Sequence, residues 1–243
     1  MSTKKIALVT GANKGIGFET ARQLAAKDIT VLIGAREEKR GREAAETLKK
    51  EGLDVHFLQL DVNDPASQDK AAKFIADKFG KLDILVNNAG VLRDPQVSAS
   101  KGTAEQWRDT FETNLFSLVS LTQKLLPLIK KSDAGRIVNL SSILGSLNLN
   151  SDPNSSLGAP SNGTAYNASK AAVNMFTVHL ANELKDTPIK VNSAHPGWVK
   201  TDMGGEAAPL SVDEGAKTSV WLATIPEDGP TGGYFFKGEA LPW

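Results

Sequence analysis

The chain has no cysteine among its 243 residues, which excludes disulfide staples, thiolate nucleophiles and every cysteine-ligated zinc or iron–sulfur centre. An excess of charge of either sign is also missing: 28 Lys and Arg stand against 28 Asp and Glu, and neither end carries an acidic or basic tail. Without a basic field, nucleic acid is not an expected partner. Long apolar runs are absent too. The stretch Ile6 to Val9 is too short for a signal-peptide core, and nothing reaches the roughly 18 apolar residues of a membrane span. No membrane association and a cytoplasmic location are therefore expected. The three histidines, His56, His179 and His195, show no ligand spacing and read as packed or surface residues, so no metal is expected. Tyrosine is scarcer still, with two in the chain.

What is present is an alternation. Compact apolar runs at Ile6 to Thr10, Thr30 to Ile33, Val55 to Leu58, Ile84 to Val86, Arg136 to Leu140 and Lys190 to Ser193 have the pattern of strands buried on both faces. Between them, Gly15 to Lys27, Glu37 to Glu51, Pro65 to Phe79, Thr103 to Lys131 and Thr164 to Leu184 are long enough to be crossover helices. Asp64 followed by Pro65 is a ready N-terminus for the third. The pattern predicts an α/β fold: a Rossmann-type doubly wound parallel sheet with helices on both faces, three layers deep, forming a single domain over residues 1–243. Leu147 to Gly163 breaks the rhythm with Asn, Ser, Pro and Gly and reads as a long loop, a binding element or a disordered one.

The first strand runs into Thr10-Gly11-Ala12-Asn13-Lys14-Gly15-Ile16-Gly17, with a helix directly behind. Glycines between strand and helix allow a tight turn and close backbone approach, so that amides at a helix start face a pyrophosphate. At the end of the second strand, Ala35 cannot accept a hydrogen bond from a ribose hydroxyl, whereas Arg36 can pair with a 2′-phosphate. Lys14 and Arg40 add positive charge nearby. NADP(H) is thus favoured over NAD, although Arg36 and Arg40 also admit a plainer reading as solvated charges beside Glu37 and Glu38.

Tyr166 and Lys170 are four positions apart and share a helix face. A phenol beside an ammonium can have its pKa lowered toward neutrality, as a proton donor to a carbonyl oxygen requires. Ser142, after the strand ending at Leu140, is placed to hydrogen-bond that oxygen, and Asn114 lies within the long fourth helix. Asn139, just upstream of the serines, reads as a structural residue at the strand end.

These motifs, with Asn87-Asn88-Ala89-Gly90 and Pro196-Gly197, resemble the short-chain dehydrogenase/reductase family in kind and order over residues 10 to 201. Within it the sequence is similar to NADPH-dependent carbonyl reductases, through Asn13 to Gly17, Ala35-Arg36, His195 to Met203 and the terminal Trp243. The resemblance implies reduction of a small-molecule ketone, aldehyde or quinone to an alcohol by hydride transfer. It makes Tyr166 the general acid, has Ser142 position the substrate oxygen, sets Lys170 on the nicotinamide ribose, and gives Asn114 the water that joins this lysine to solvent. It also implies cofactor contacts at Gly11, Asn13, Lys14, Gly15, Ile16, Gly17, Arg36, Asp61, Val62, Asn88, Tyr166, Lys170, Pro196, Gly197, Val199 and Thr201. Ser142 is preferred to Ser141 because the catalytic serine is usually the second of such a pair; a slip of one position would exchange them.

Two stretches depart from the pattern. The segment between Ser142 and Tyr166 is longer than is common in the family, which leaves monomer and homodimer open and puts the usual tetramer in doubt. It also brings Leu144 and Leu147 to the border of the substrate cleft. After Thr201, the glycine-rich run from Asp202 to Pro209 reads as a flap, with Trp198 and Met203 as apolar edges. Trp198 is equally readable as a substrate contact or as a core residue. Two other functions stay open: a cofactor-independent lyase or dehalogenase-like relative, which would normally lose the glycine turn and Lys170, and a non-catalytic NADP-sensing protein, which would lose Tyr166 or Ser142.

Overall fold

Five fully buried residues, Ile6–Thr10, form the first strand, β1, and every other side chain along it belongs to the opposite face of the sheet. Ala7 and Val9 pack into one apolar cluster and Ile6 and Leu8 into another. Two-sided burial is what a parallel strand with helices on both faces requires. The computed structural model describes residues 4–155, 157 and 163–243.

After β1 come α1 (Gly15–Ala25), β2 (Thr30–Ala35), α2 (Glu38–Lys50), β3 (Val55–Gln59), α3 (Pro65–Phe79), β4 (Ile84–Asn87), α4 (Ala104–Phe111), α5 (Ser117–Ile129) and β5 (Arg136–Leu140). The chain ends with α6 (Leu147–Ser151), α7 (Thr164–Glu183), β6 (Lys190–Ala194), α8 (Val212–Ala223), β7 (Tyr234–Phe236) and β8 (Glu239–Ala240). The strand order is β3-β2-β1-β4-β5-β6-β7-β8, parallel except for the last pair. One apolar cluster joins α1 and α8 to the sheet, and the other joins α3, α5 and α7 to its opposite face. This is the doubly wound architecture expected, and the order reverses between β1 and β4. Their carboxyl ends open the crevice where such sheets bind ligands.

Local chemistry sets the helix starts. Asp64 accepts a hydrogen bond from the Ala66 amide at 3.0 Å, with Pro65 in the first turn, and Gly80 ends α3 in the left-handed region at φ 73°. Thr103 with Gln106 and Ser211 with Glu214 form reciprocal capping boxes on α4 and α8.

Four expectations are corrected. The helix expected over Thr103 to Lys131 is two helices joined by a wide π turn at Glu112–Phe116, with Asn114 buried in it. Asn114 anchors that turn to another loop, an interaction that periodicity does not reveal. The segment Leu147 to Gly163 is not loop throughout: the Ser146 hydroxyl accepts from the Leu149 amide at 3.2 Å and starts the single-turn helix α6. The remainder of that expected loop includes residues 156 and 158–162, which lie outside the described residues. Third, α8, β7 and β8 extend the fold past Ser193, where no element was expected. Fourth, β2 continues to Ala35 and β6 to Ala194, which carries both strands up to the site.

Candidate active site

The turn after β1 is held in a shape only glycines allow. Gly11 and Gly15 have φ of 63° and 58°, in the left-handed region that side chains avoid. At Gly17 a Cβ would run into the Asn88 side chain and lie 2.7 Å from the Gly11 carbonyl. Asn88 closes the other wall: its side-chain amide donates to the Thr10 carbonyl at 2.8 Å, while the Thr10 hydroxyl accepts the Asn88 and Ala89 amides at 3.0 Å. Thr201 approaches from the far end of the chain, its methyl 3.5 Å from where a Gly15 Cβ would stand. Asn13, Lys14, Ile16 and Gly17 are therefore on one turn with Asn88 and Thr201 around it. A backbone cradle with no room for side chains fits the pyrophosphate of a dinucleotide.

Arg36 is exposed directly after β2. The acids beside it are engaged elsewhere, Glu37 with Arg40 at 3.2 Å and Glu38 with Arg42 at 2.8 Å. Among the described residues Arg36 has no carboxylate partner. Lys14 differs, because its ammonium is ion-paired with Asp202. The end of β3 joins this corner: the Leu60 amide donates to the Ala35 carbonyl at 3.0 Å, and Asp61 follows, its own amide accepted by Ser67 at 3.0 Å. Val62 packs its side chain on the second apolar cluster.

Beyond β4 and β5 the reactive groups converge. Lys170 is buried on α7; its ammonium donates to the Leu140 carbonyl at 2.8 Å and stands 5.6 Å from the centroid of the Tyr166 ring. A Cβ at Gly90 would lie 3.7 Å from that ammonium and 3.3 Å from Asn114 Oδ1, so this glycine keeps open the approach between the two. The Asn114 amide is engaged at both ends: Oδ1 accepts the Val91 amide at 2.8 Å, and Nδ2 donates to the Val91 carbonyl at 2.9 Å and the Ser169 hydroxyl at 3.0 Å. Its side chain thus fastens the π turn to the β4 loop and to α7.

The two serines after β5 point differently. The Ser141 hydroxyl donates to the Lys170 carbonyl at 3.3 Å, whereas Ser142 accepts the Leu144 amide at 3.3 Å and is within reach of the Tyr166 hydroxyl. At Gly145 a Cβ would stand 2.7 Å from the Lys170 backbone, so the serine turn lies flush on α7.

Burial dominates the electrostatics. Lys170 is held down to about pKa 8 by loss of hydration. Tyr166 is only half-buried as a residue, but its hydroxyl is enclosed, and burial pushes it up to about 12, with Ser142 acting in the opposite direction. The expected lowering of the tyrosine toward neutrality is therefore not found. The cost of burying a phenolate outweighs the ammonium, which faces the ring and the Leu140 carbonyl.

Pro196, Gly197 and Val199 continue from β6. Gly197 has φ 87°, and a Cβ there would meet Leu210 and lie 3.1 Å from the Phe236 ring. Trp198 is 57% exposed, which removes its reading as a core residue. Its indole donates to the Gly204 carbonyl at 2.8 Å, and Gly204 and Gly205 donate to the Thr201 hydroxyl and carbonyl at 3.1 and 2.8 Å. The expected flap is a stretch folded back on itself, with Trp198 and Met203 exposed on it. Asn139 is not at the site: it accepts from Asn87 and donates to Thr177 at 2.9 Å each, deep in the sheet.

His195, expected as a packed or surface residue, is a packed one. It is buried where β6 enters the site, and its Nδ1 accepts backbone amides from both sides, from Ile143 and from Gly197. The one sequence signal was its place directly before Pro196-Gly197. Among the described residues there is no cluster of three or more metal-binding side chains, and no helix is long and apolar enough to cross a membrane.

A sheet of this order, with a glycine cradle at its switch point and Ser142, Tyr166 and Lys170 beside it, defines a dinucleotide-dependent oxidoreductase. Residues 5–210 match the short chain dehydrogenase family, and the chain belongs to that family. It is 39% identical to (+)-neomenthol dehydrogenase of Arabidopsis thaliana, over 96% of both chains. It is 35% identical to carbonyl reductase [NADPH] 1 of Mus musculus, over all of this chain and 99% of that one. The mouse alignment runs over 279 positions against 243 residues here, so that relative carries stretches this chain lacks. The crystal structure of NADPH-bound carbonyl reductase from chicken fatty liver superimposes with a TM-score of 0.85, at 29% identity over 99% of each chain.

Proposed function

We propose that this protein reduces a bulky, largely apolar ketone, aldehyde or quinone to the alcohol at the expense of NADPH. The observation that carries the reading is the convergence of Ser142, Tyr166 and Lys170 beside a glycine cradle, with Arg36 free at the far end for a 2′-phosphate. Gly11 to Gly17 would hold the pyrophosphate, Asp61, Val62 and Asn88 the adenosine, and Pro196 to Thr201 the nicotinamide side. The cofactor, when bound, supplies the hydride.

The chain's own groups handle the oxygen. Ser142 donates a hydrogen bond to it, and Tyr166 delivers the proton as negative charge develops. A phenol whose pKa is about 12 is fully protonated at neutral pH, the state a proton donor needs. Lys170 would bind the ribose hydroxyls, and its ammonium stabilises the phenolate left when Tyr166 gives up its proton. Asn114, buried in the π turn, would hold the water that links Lys170 to solvent. Trp198, Met203 and Leu147 present exposed apolar surface to a hydrophobic substrate.

A panel of aldehydes, α-dicarbonyls, quinones and aryl ketones, followed by loss of reduced-cofactor absorbance with NADPH and NADH in parallel, tests this reading. Turnover is expected with NADPH and much less with NADH. No NADPH oxidation with any member of the panel overturns it.

A further inference from the structure

His195 links the two halves of the site through one atom. Its Nδ1 accepts the Ile143 amide at 3.2 Å, next to Ser142, and the Gly197 amide at 3.3 Å, at the start of the stretch leading to Thr201. A neutral imidazole nitrogen offers one in-plane lone pair, so the two donors share it, and the ring proton must sit on Nε2. Its backbone is fixed and one side of the ring is covered. Its own amide donates to the Phe235 carbonyl at 2.8 Å, and the Phe236 ring packs on the imidazole with centroids 4.9 Å apart. Beneath it, β5 and β6 stay side by side to the end of their pairing, with the Ser141 amide on the Ala194 carbonyl at 2.8 Å.

We propose that His195 is a positioning residue that sets the spacing between the oxygen-gripping turn at Ser142 and the loop running from Gly197 to Thr201. This rests on the reductase reading above: the proton must reach the oxygen of a carbonyl while the hydride reaches its carbon. Beyond the Ser141–Ala194 backbone bond where the two strands end, the turn that holds one end and the loop that holds the other meet through this ring among the contacts described. Misplacement by about 1 Å in such a geometry costs up to roughly 100-fold in rate. An imidazolium would have no lone pair at Nδ1 and would release both amides. Burial holds His195 down to about pKa 4 and keeps it neutral.

Asparagine places its amide oxygen close to the position of Nδ1, whereas leucine fills the space and accepts nothing. Three readouts on His195→Leu and His195→Asn separate positioning from bulk stability: kcat with NADPH and the best carbonyl substrate, NADPH affinity by fluorescence, and hydrogen exchange at the Ile143 and Gly197 amides. The expected result is a kcat about tenfold or more below wild type in His195→Leu, with NADPH affinity within about threefold and faster exchange at both amides. His195→Asn should recover most of each loss. Wild-type kcat and exchange in His195→Leu, or no recovery in His195→Asn, overturns the proposal. If His195→Leu does not fold, His195→Gln replaces it, since its longer side chain carries the oxygen past the two amides. Amide exchange needs no turnover, so it decides the matter even if the wild-type protein reduces no carbonyl.

Discussion

The Lys170 ammonium lies 5.6 Å from the centre of the Tyr166 ring and spends its hydrogen bond on the Leu140 carbonyl at 2.8 Å. A buried cation without a carboxylate to balance it is costly to fold, and this pair concentrates that cost where the chemistry is. Its sign can be measured. Lys170 titrates at about 8 in the folded chain and at its ordinary 10.5 when unfolded. Between those values the unfolded chain binds more protons, so stability rises with pH across that window. The penalty is full below about pH 8 and relieved as pH approaches 10.5. Lys170→Met removes this linkage. Calorimetry of both proteins from about pH 7 to about pH 9.5 should show the Tm difference moving in favour of wild type as pH rises. A difference flat with pH contradicts the burial.

Arg36 stands free while its neighbours Glu37 and Glu38 are taken by Arg40 and Arg42. Arg36→Ala should weaken NADPH binding by about 10-fold to 100-fold and NADH binding less than about twofold, since a charge-assisted hydrogen bond contributes about 1.5–3 kcal/mol. Fluorescence titration with both cofactors checks it, and equal losses would remove the 2′-phosphate from this corner.

The close contacts at Gly17 make the smallest possible enlargement informative. Gly17→Ala should fold but lose most of its NADPH affinity, because the new methyl group must displace Asn88 or the Gly11 carbonyl. Retained affinity would show that the cradle is not where the cofactor sits.

Asn139 belongs to a buried relay, Asn87 to Asn139 to Thr177, which also receives the Ser193 hydroxyl at 2.9 Å. It ties β4, β5 and β6 to α7, the helix that carries Tyr166 and Lys170. Asn139→Ala should cost about 2–4 kcal/mol, from orphaned partners and the space left behind. A shift in the urea midpoint reads it directly, and an unchanged midpoint would argue against the relay.

Strands buried on both faces, such as Ile6–Thr10 and Arg136–Leu140, were legible from sequence because two-sided burial leaves an unbroken apolar run, and the edge-ward β3 was legible although only Val55 and Leu58 are buried in it. β7 and β8, of three residues and two residues, are too short to carry a period in the sequence. α8 was findable, since Ser211 and Glu214 have the spacing of a capping box. The π turn was not, because what widens it is Asn114 reaching Val91 and Ser169, contacts made across the fold. Ser142, Tyr166 and Lys170 were legible as a pattern, but the environment of the tyrosine was not. Its raised pKa comes from burial, which no spacing encodes. His195 carried the weakest signal, since accepting two amides through one nitrogen is a property of the assembled site.

The central claim is that Tyr166 delivers the proton. The most direct measurement is kcat of Tyr166→Phe for NADPH-dependent carbonyl reduction, with NADPH affinity measured on the same preparation. Loss of general-acid catalysis should lower kcat by about 100-fold to 10,000-fold while NADPH affinity stays within about threefold of wild type. Wild-type turnover from the phenylalanine variant would contradict the account.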